Sequence, residues 1–376
     1  MKRICIITTG RWDISYLYWI MKDLEASTNE LSIICPLNHH EFNTILTEFE
    51  RIYPTKPVTS IKDYGQFYSD CLKIMSDTHF DIVVLVGDRF ECHAAATAAV
   101  LLNIPIAHIH GGETTLGAFD NELRNSITMM AQYHFTAAWQ YAANIARMKG
   151  LCTPDHFNCF YKVNDILGNS PWKWEGNIYN VGSPGLDWLT RAKLLSKDEL
   201  QQRVLFDLDE PFIIACLHPT TKELEHTKEQ IEVFMSVLER LGEQILLIGS
   251  NIDPGNDIIH ERVCRKSYGC KEIFRDSNLD HLTYLSLLQY AEMMVGNSSS
   301  GIIESSSFNL PSVTIGSRQD GRIKGSNVFT CPCETEAILT AIDRAREWNA
   351  LVGKCDNPYG DGKSSERIVK ILEGIL

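Results

Sequence analysis

DIVVLVGDRFECHAAATAAVLLNIPIAHIHGGE occupies residues 81–113. It holds an apolar run at 81–87, an alanine-rich stretch at 91–102 and a second apolar run at 104–111. Short, continuously apolar runs suit strands buried on both faces. The stretch between them has the length and composition of a helix. Strand, helix and strand in that order form a right-handed βαβ unit of a parallel sheet. Polar residues gather where each apolar run ends, in "GDRFE" (87–91) and "HIHGGE" (108–113).

The alternation continues in both directions. Strands are expected at 2–8, 31–35 and 133–138, with helices over 12–26 and from about 40. A second series follows: strands at 211–218, 244–250, 291–297 and 310–316, and helices over 223–241, 334–347 and 364–375. Between the two series lies an irregular stretch, 151–188, rich in Gly, Pro, Asn and Trp, with a hinge expected near 170–180. The pattern predicts two doubly wound, Rossmann-like α/β domains, 1–172 and 173–358. Ligands of such folds bind at the carboxyl ends of the strands, so the chemistry is expected in a cleft where the two domains face each other.

Composition narrows the partners. Thirty-five Lys and Arg against 48 Asp and Glu give a net charge of −13. With no basic block, nucleic acid and anionic membranes are poor partners. A small anion remains compatible, because a few arginines and helix N-termini hold one. The 12 cysteines are scattered without a C-x-x-C pair, and Cys5, Cys35 and Cys216 lie inside apolar runs. That usage fits a reducing cytosol. No signal-peptide pattern precedes the first strand, and no window approaches the ~20 apolar residues of a membrane span. A cytoplasmic protein is expected.

The strand ends carry the candidate site. Asp88 and Arg89 follow Gly87; Asp88 reads either as a helix N-cap or as an acceptor for a substrate hydroxyl. On a strand His108 and His110 share one face. They read as a zinc pair or, for His108, as a satisfied core histidine; no standard ligand set accompanies them, so no metal is expected. Glu113 and Asp120 are caps or proton-transfer groups. His218 ends a strand before Pro219. "GNSSSGIIESSS" (296–307) bridges a strand end and a helix start, where backbone N–H groups favour phosphate, unless the serines serve only as caps. It is not a G-x-x-x-x-G-K-[ST] loop, and no G-x-G-x-x-G follows the first strand, which counts against NAD. Glu304, a helical turn on, is placed to accept ribose hydroxyls, and Arg318 and Arg322 to neutralise a diphosphate.

"GDRFE", "IPIAHIHGGE", "GAFDNELRNSIT" (117–128) and "GSRQDGR" (316–322) together resemble the hydrolysing UDP-N-acetylglucosamine 2-epimerases of sialic acid biosynthesis, nearly end to end. The resemblance implies a GT-B-like fold, a final helix (359–376) returning to the first domain, a homodimer or homotetramer, and neither cofactor nor metal. It implies that UDP-N-acetylglucosamine is converted to UDP and N-acetylmannosamine through 2-acetamidoglucal. By resemblance Asp88, Glu113, Asp120 and His218 move protons. Arg11 and His39 match residues near the diphosphate, Ser298, Ser299 and Gly301 the phosphate loop, and Glu304 the ribose acid; Arg89 and His110 are further substrate contacts. The chain departs from the family pattern at His110, where many relatives carry glutamate, and at Asn121, where hydrolysing relatives often carry a second acid. The alternatives are the same reaction on UDP-N,N'-diacetylbacillosamine, the reversible non-hydrolysing epimerase, a GT-B-type glycosyltransferase, and a UDP-sugar sensor.

Overall fold

The computed structural model describes residues 1–37, 43–151, 172–174, 176–249, 253–267, 270–276 and 279–376, with the side chains of 11–12, 43–44 and 172–174 outside the description. The chain forms two units: residues 1–113, 120–190 and 359–376, and residues 114–119 and 191–358.

The first unit is built on β1 (Arg3–Ile7), β2 (Glu30–Pro36), β3 (Ile52–Thr55), β4 (Ile82–Val86), β5 (Ile106–Ile109), β6 (Tyr133–Thr136), β7 (Trp172–Trp174) and β8 (Ile178–Asn180). Their order across the sheet is β3-β2-β1-β4-β5-β6-β8-β7, parallel except for β7. Its helices are α1 (Arg11–Glu25), α2 (Asn43–Leu46), α3 (Tyr64–Thr78), α4 (Phe90–Leu101), α5 (Asp120–Met130) and α6 (Trp139–Met148), followed by α7 (Trp188–Arg191), in which the chain passes to the second unit. That unit holds α8 (Lys197–Gln201), β9 (Phe212–Cys216), α9 (Thr227–Leu241), β10 (Gln244–Ile248), α10 (Asn256–Ser267), β11 (Ile273–Asp276), α11 (His281–Leu288), β12 (Met293–Gly296), α12 (Ser300–Ile303), β13 (Ser312–Ile315), β14 (Val328–Cys331) and α13 (Thr335–Leu351). Its sheet is parallel throughout, ordered β11-β10-β9-β12-β13-β14. Both sheets are therefore Rossmann-like, as the strand pattern predicts.

Among the parallel strands of each sheet the strand order turns from falling to rising, between β1 and β4 in the first unit and between β9 and β12 in the second. Loops leaving those strands splay to opposite faces and open a crevice, the usual binding place in doubly wound sheets. The strands stay put because both faces are covered. Ile4 and Ile6 pack with Leu17 and Ile33 on one side, while Cys5 and Ile7 meet Phe67 and the Ala94–Ala99 stretch of α4 on the other.

The last helix, α14 (Ser364–Ile375), belongs to the first unit. Ile368, Val369, Ile371 and Leu372 form its buried stripe beside Leu17 and Leu24 of α1. The side chain of Lys363 gives no cap. Buried Asp187 supplies one instead, accepting from Ser364 N at 2.9 Å and Ser365 N at 2.6 Å. A carboxylate there satisfies orphan donors and complements the helix dipole.

Two boundaries correct the sequence reading. β8 joins the first sheet and the chain leaves that unit only after Thr190, so the expected division at 172/173 falls too early. Residues 114–119 lie with the second unit, although the chain on both sides of them belongs to the first. Among the described residues no helix is long and apolar enough to cross a membrane.

Candidate active site

In the first unit the loop after β1 is organised by a buried carboxylate. Asp13, on the first turn of α1, accepts from Thr8 Oγ1 at 2.7 Å, Thr9 N at 2.5 Å, Thr9 Oγ1 at 2.8 Å and Gly10 N at 3.2 Å. Burial pushes its pKa up to about 6, against the pull of those donors. Arg11 opens α1 beside this loop; His39 lies outside the described residues.

After β4, Gly87 adopts φ 79° and Asp88 follows. Asp88 is not the helix cap that one reading expected, since the cap position of α4 is Arg89. The Asp88 carboxylate pairs instead with Nη2 of Arg124, a side chain on α5 that is 1% exposed. Nη1 of the same guanidinium donates to the Glu113 carbonyl at 3.1 Å. Arg89 forms a two-point fork with Glu91, at 3.1 and 3.0 Å.

β5 stops at Ile109, and that changes the histidine pair. His110 has φ 62°, a left-handed conformation uncommon outside glycine. The two rings therefore do not share a strand face, contrary to expectation. His108 is wholly buried, with Nε2 2.7 Å from the Gly87 carbonyl and Nδ1 3.2 Å from Thr128 Oγ1. Burial lowers its pKa to about 4, so the ring is neutral. His110 Nδ1 lies 2.5 Å from Glu113 Oε1, and its Nε2 lies 3.1 Å from Ser183 Oγ. His110 and Glu113 are 6% and 2% exposed. The turn between them needs glycine: Gly112 has φ 77°, and a Cβ there would overlap the Tyr141 carbonyl. Asp120 opens α5 as expected. Among the described residues no three His, Cys, Asp or Glu side chains are grouped to hold a metal.

The second unit repeats the arrangement at its own crevice. His218 follows β9 and is 6% exposed. Burial and the Arg318 charge hold its pKa well below the ordinary histidine value. Cys216, pushed up to about 12 by burial, stays a thiol 3.4 Å from His218 Nε2. Asn297 bonds both backbone groups of His218, at 2.7 and 2.8 Å. Ser298 and Ser299 follow, then α12, which is a single turn. So short a helix has little dipole, and the serine loop has mainly backbone N–H groups and hydroxyls to offer an anion. A Cβ on Gly301 would overlap Ser312 Oγ, so that hydroxyl would have to turn away. Glu304, 5% exposed, follows α12 directly. After β13, Arg318 donates to the Asn297 carbonyl at 3.2 Å and lies 3.8 Å from Asp253, while Arg322 ends the same turn.

Residues 114–119 pack on this turn. Leu116 N donates to the Asp320 carbonyl at 2.9 Å, Lys222 N to the Gly117 carbonyl at 3.2 Å, and Phe119 N to Thr221 Oγ1 at 3.1 Å. A Cβ on Gly117 would lie 2.7 Å from the Ser317 carbonyl oxygen.

Two strand-end sets therefore sit on two Rossmann-like sheets: one with several buried acids and histidines around Arg124, the other with His218, Glu304 and Arg318 beside a serine loop. A family model described as UDP-N-acetylglucosamine 2-epimerase matches residues 23–373. The chain belongs to this family. It is 34% identical over 390 residues to a Legionella pneumophila protein named UDP-N,N'-diacetylbacillosamine 2-epimerase (hydrolyzing), covering 100% of this chain and 96% of that one. It is 31% identical to Polysialic acid biosynthesis protein P7 of Escherichia coli, over 84% of this chain and 74% of that one. Its fold matches the crystal structure of UDP-GlcNAc 2-epimerase from Neisseria meningitidis bound to UDP-GlcNAc, with a TM-score of 0.80 at 16% identity over 99% of this chain and 100% of that one. This family member carries the GT-B-like pair of domains of those structures.

Sequence reasoning passed over Arg124, Ser183, Asp13 and Asn297. Arg124 had a signal: with Ile127 and Thr128 it occupies positions i, i+3 and i+4 of α5, the buried face. Ser183 had none, because its partner His110 is 73 residues away.

Proposed function

We propose that the chain is a hydrolysing 2-epimerase acting on a UDP-linked 2-acetamido sugar. The observation that carries this reading is the buried His110–Glu113 pair at 2.5 Å, tied to Asp88 through the Arg124 fork. Abstraction of the proton at C2 of a sugar, a weak acid, needs a base held out of water, and its return on the other face needs an acid. Two carboxyl groups in unlike surroundings, one facing an arginine and one facing a histidine, suit such a division of labour.

In this reading the C2 proton leaves to a carboxylate as the C1–O bond to UDP breaks. The electron pair of the C–H bond becomes the C1–C2 double bond of the 2-acetamido glycal. Asp88, Glu113 and Asp120 are the candidates for that transfer, with His218 beside the departing phosphate. Water then adds at C1 while a proton is delivered to C2 from the opposite face, which inverts C2 and leaves free sugar and UDP. Ser298, Ser299 and the Gly301 backbone receive the diphosphate, Arg318 and Arg322 balance its charge, and Glu304 accepts from the ribose hydroxyls. Arg11, His39 and Arg89 complete the proposed substrate contacts. The working assembly is proposed as a homodimer or homotetramer.

Two substrates are carried forward. UDP-N-acetylglucosamine would give N-acetylmannosamine for sialic acid synthesis. The full-length 34% identity to the Legionella pneumophila protein favours UDP-N,N'-diacetylbacillosamine comparably. Turnover of each in water enriched in oxygen-18 tests the reaction. Cleavage at C1 leaves UDP without the heavy isotope; label in the β-phosphate would mean attack at phosphorus and would end the proposal.

A further inference from the structure

Three strand ends of the second unit meet at one residue that the proton-transfer reading leaves out, β9 through its side chain and backbone and the turn after β13 through its backbone carbonyl. Asn297 follows Gly296 at the end of β12 and is 2% exposed. Its Oδ1 accepts from His218 N at 2.7 Å, and its Nδ2 donates to the His218 carbonyl at 2.8 Å. Its own N–H donates to the Cys216 carbonyl at 3.0 Å. Its carbonyl accepts from Gln319 Nε2 at 2.9 Å and Arg318 Nη1 at 3.2 Å. The close approach needs Gly296, where φ is 147° and a Cβ would overlap the Cys216 carbonyl. A primary amide sets an acceptor beside a donor, matching the N–H and C=O of a single residue. Buried as it is, the clamp has little water to replace a lost partner.

We propose that Asn297 is a positioning residue, which locks the backbone of His218 to the serine loop 298–301 so that one rigid piece holds both the leaving diphosphate and the imidazole. The proposal rests on the reading of His218 as a group acting in the reaction. In this role Asn297 acts through His218, to which its whole side chain is committed. Ser298 and Ser299 adjoin it in the chain, so its register also sets theirs.

Asn297→Asp separates this role from general stability. An ionised carboxylate accepts from His218 N but sets its second oxygen against the His218 carbonyl. A protonated one donates its O–H there and rebuilds both bonds. The measurements are kcat and KM for UDP release from UDP-N-acetylglucosamine and UDP-N,N'-diacetylbacillosamine between pH 5.5 and 8.5, as the ratio of variant to wild type. UDP affinity by calorimetry and the His218 amide signal of 15N-histidine-labelled protein accompany them. The kcat ratio is expected to fall about a hundred-fold at pH 8.5, the usual loss for a misplaced group, and to recover about ten-fold at pH 5.5. The affinity for UDP should change little, and the His218 amide should titrate along with the recovery. Asn297→Ser, with one hydrogen-bonding group and no titration, should show low kcat at every pH, and it serves if the aspartate variant does not fold. A ratio near one throughout, a low ratio for Asn297→Asp that ignores pH, or a loss confined to KM overturns the proposal. A wild type that releases no UDP from either sugar removes the proposed function instead. The amide titration then still decides the clamp, and an amide that ignores pH discards it.

Discussion

His134 lies on β6, is wholly buried, and has no hydrogen-bond partner on either ring nitrogen among the described residues. Burial, helped by the Lys149 charge and by His108, lowers its pKa to about 2. The ring is neutral in the folded chain and titrates normally, near 6.5, once unfolded. Unfolded protein therefore binds the extra proton, so the stability owed to neutral His134 is complete above pH 6.5 and is lost as the pH falls below it. At pH 5 the deficit is about 2 kcal/mol, from ~1.4 kcal/mol per pH unit over roughly 1.5 units. A non-polar side chain of similar size removes both the proton linkage and the unmet hydrogen bonds, themselves worth about 1–3 kcal/mol. His134→Leu is accordingly expected to stabilise the first unit by about 1–3 kcal/mol at pH 7, and by about 2 kcal/mol more at pH 5. Urea unfolding of both proteins at the two pH values reads this from the shift in midpoint. A gap that does not widen on acidification, or a variant less stable at both values, would refute the reasoning.

Three other perturbations act on the Arg124 fork, the ribose acid and the cap of α14. Arg124→Met strips Asp88 of its counter-charge and should destabilise the first unit by about 2–4 kcal/mol, somewhat less than the ~3–5 kcal/mol of a fully buried pair because Asp88 is partly open to solvent; an unmoved urea midpoint would show that the fork is not structural. Glu304→Ala should weaken UDP binding by about 1–3 kcal/mol, read by calorimetry, and an unchanged dissociation constant would place the ribose elsewhere. Asp187→Ala removes the borrowed cap of α14 and should lower its stability by about 1–3 kcal/mol, seen as faster amide exchange over residues 364–375; unaltered protection would mean that packing of Ile368 and Leu372 alone holds the helix.

The sequence made the fold legible wherever strands were buried on both faces. β1, β2, β4, β5, β9, β10, β12 and β13 all fall within or beside apolar runs. β3, β11 and β14 escaped notice because each lies at a sheet edge, where alternation and charge blur the signal: β3 holds Pro54, and β11 ends in Arg275 and Asp276; β7 and β8 fall in the stretch 151–188 expected to be irregular. The strand-end clusters were visible too, because polar residues after an apolar run stand out. Their conformation was not. His110 looked like a strand residue in period with His108, yet its backbone turns left-handed two residues before Gly112, and its ring faces Glu113. Long-range partners such as Ser183 for His110, and Asn297 for His218, follow from strand order, which one sequence does not display. The docking of 114–119 on the second unit was hidden for the same reason.

In the proposed reaction the sugar leaves the protein free, with C2 inverted. A proton NMR time course in D2O, run without added metal on UDP-N-acetylglucosamine and separately on UDP-N,N'-diacetylbacillosamine, tests it most directly. The proposed reaction yields UDP together with a free 2-acetamido sugar of inverted configuration carrying deuterium at C2, from at least one of the two. A C2-inverted sugar still joined to UDP, or free sugar retaining its original C2 proton and configuration, would contradict it.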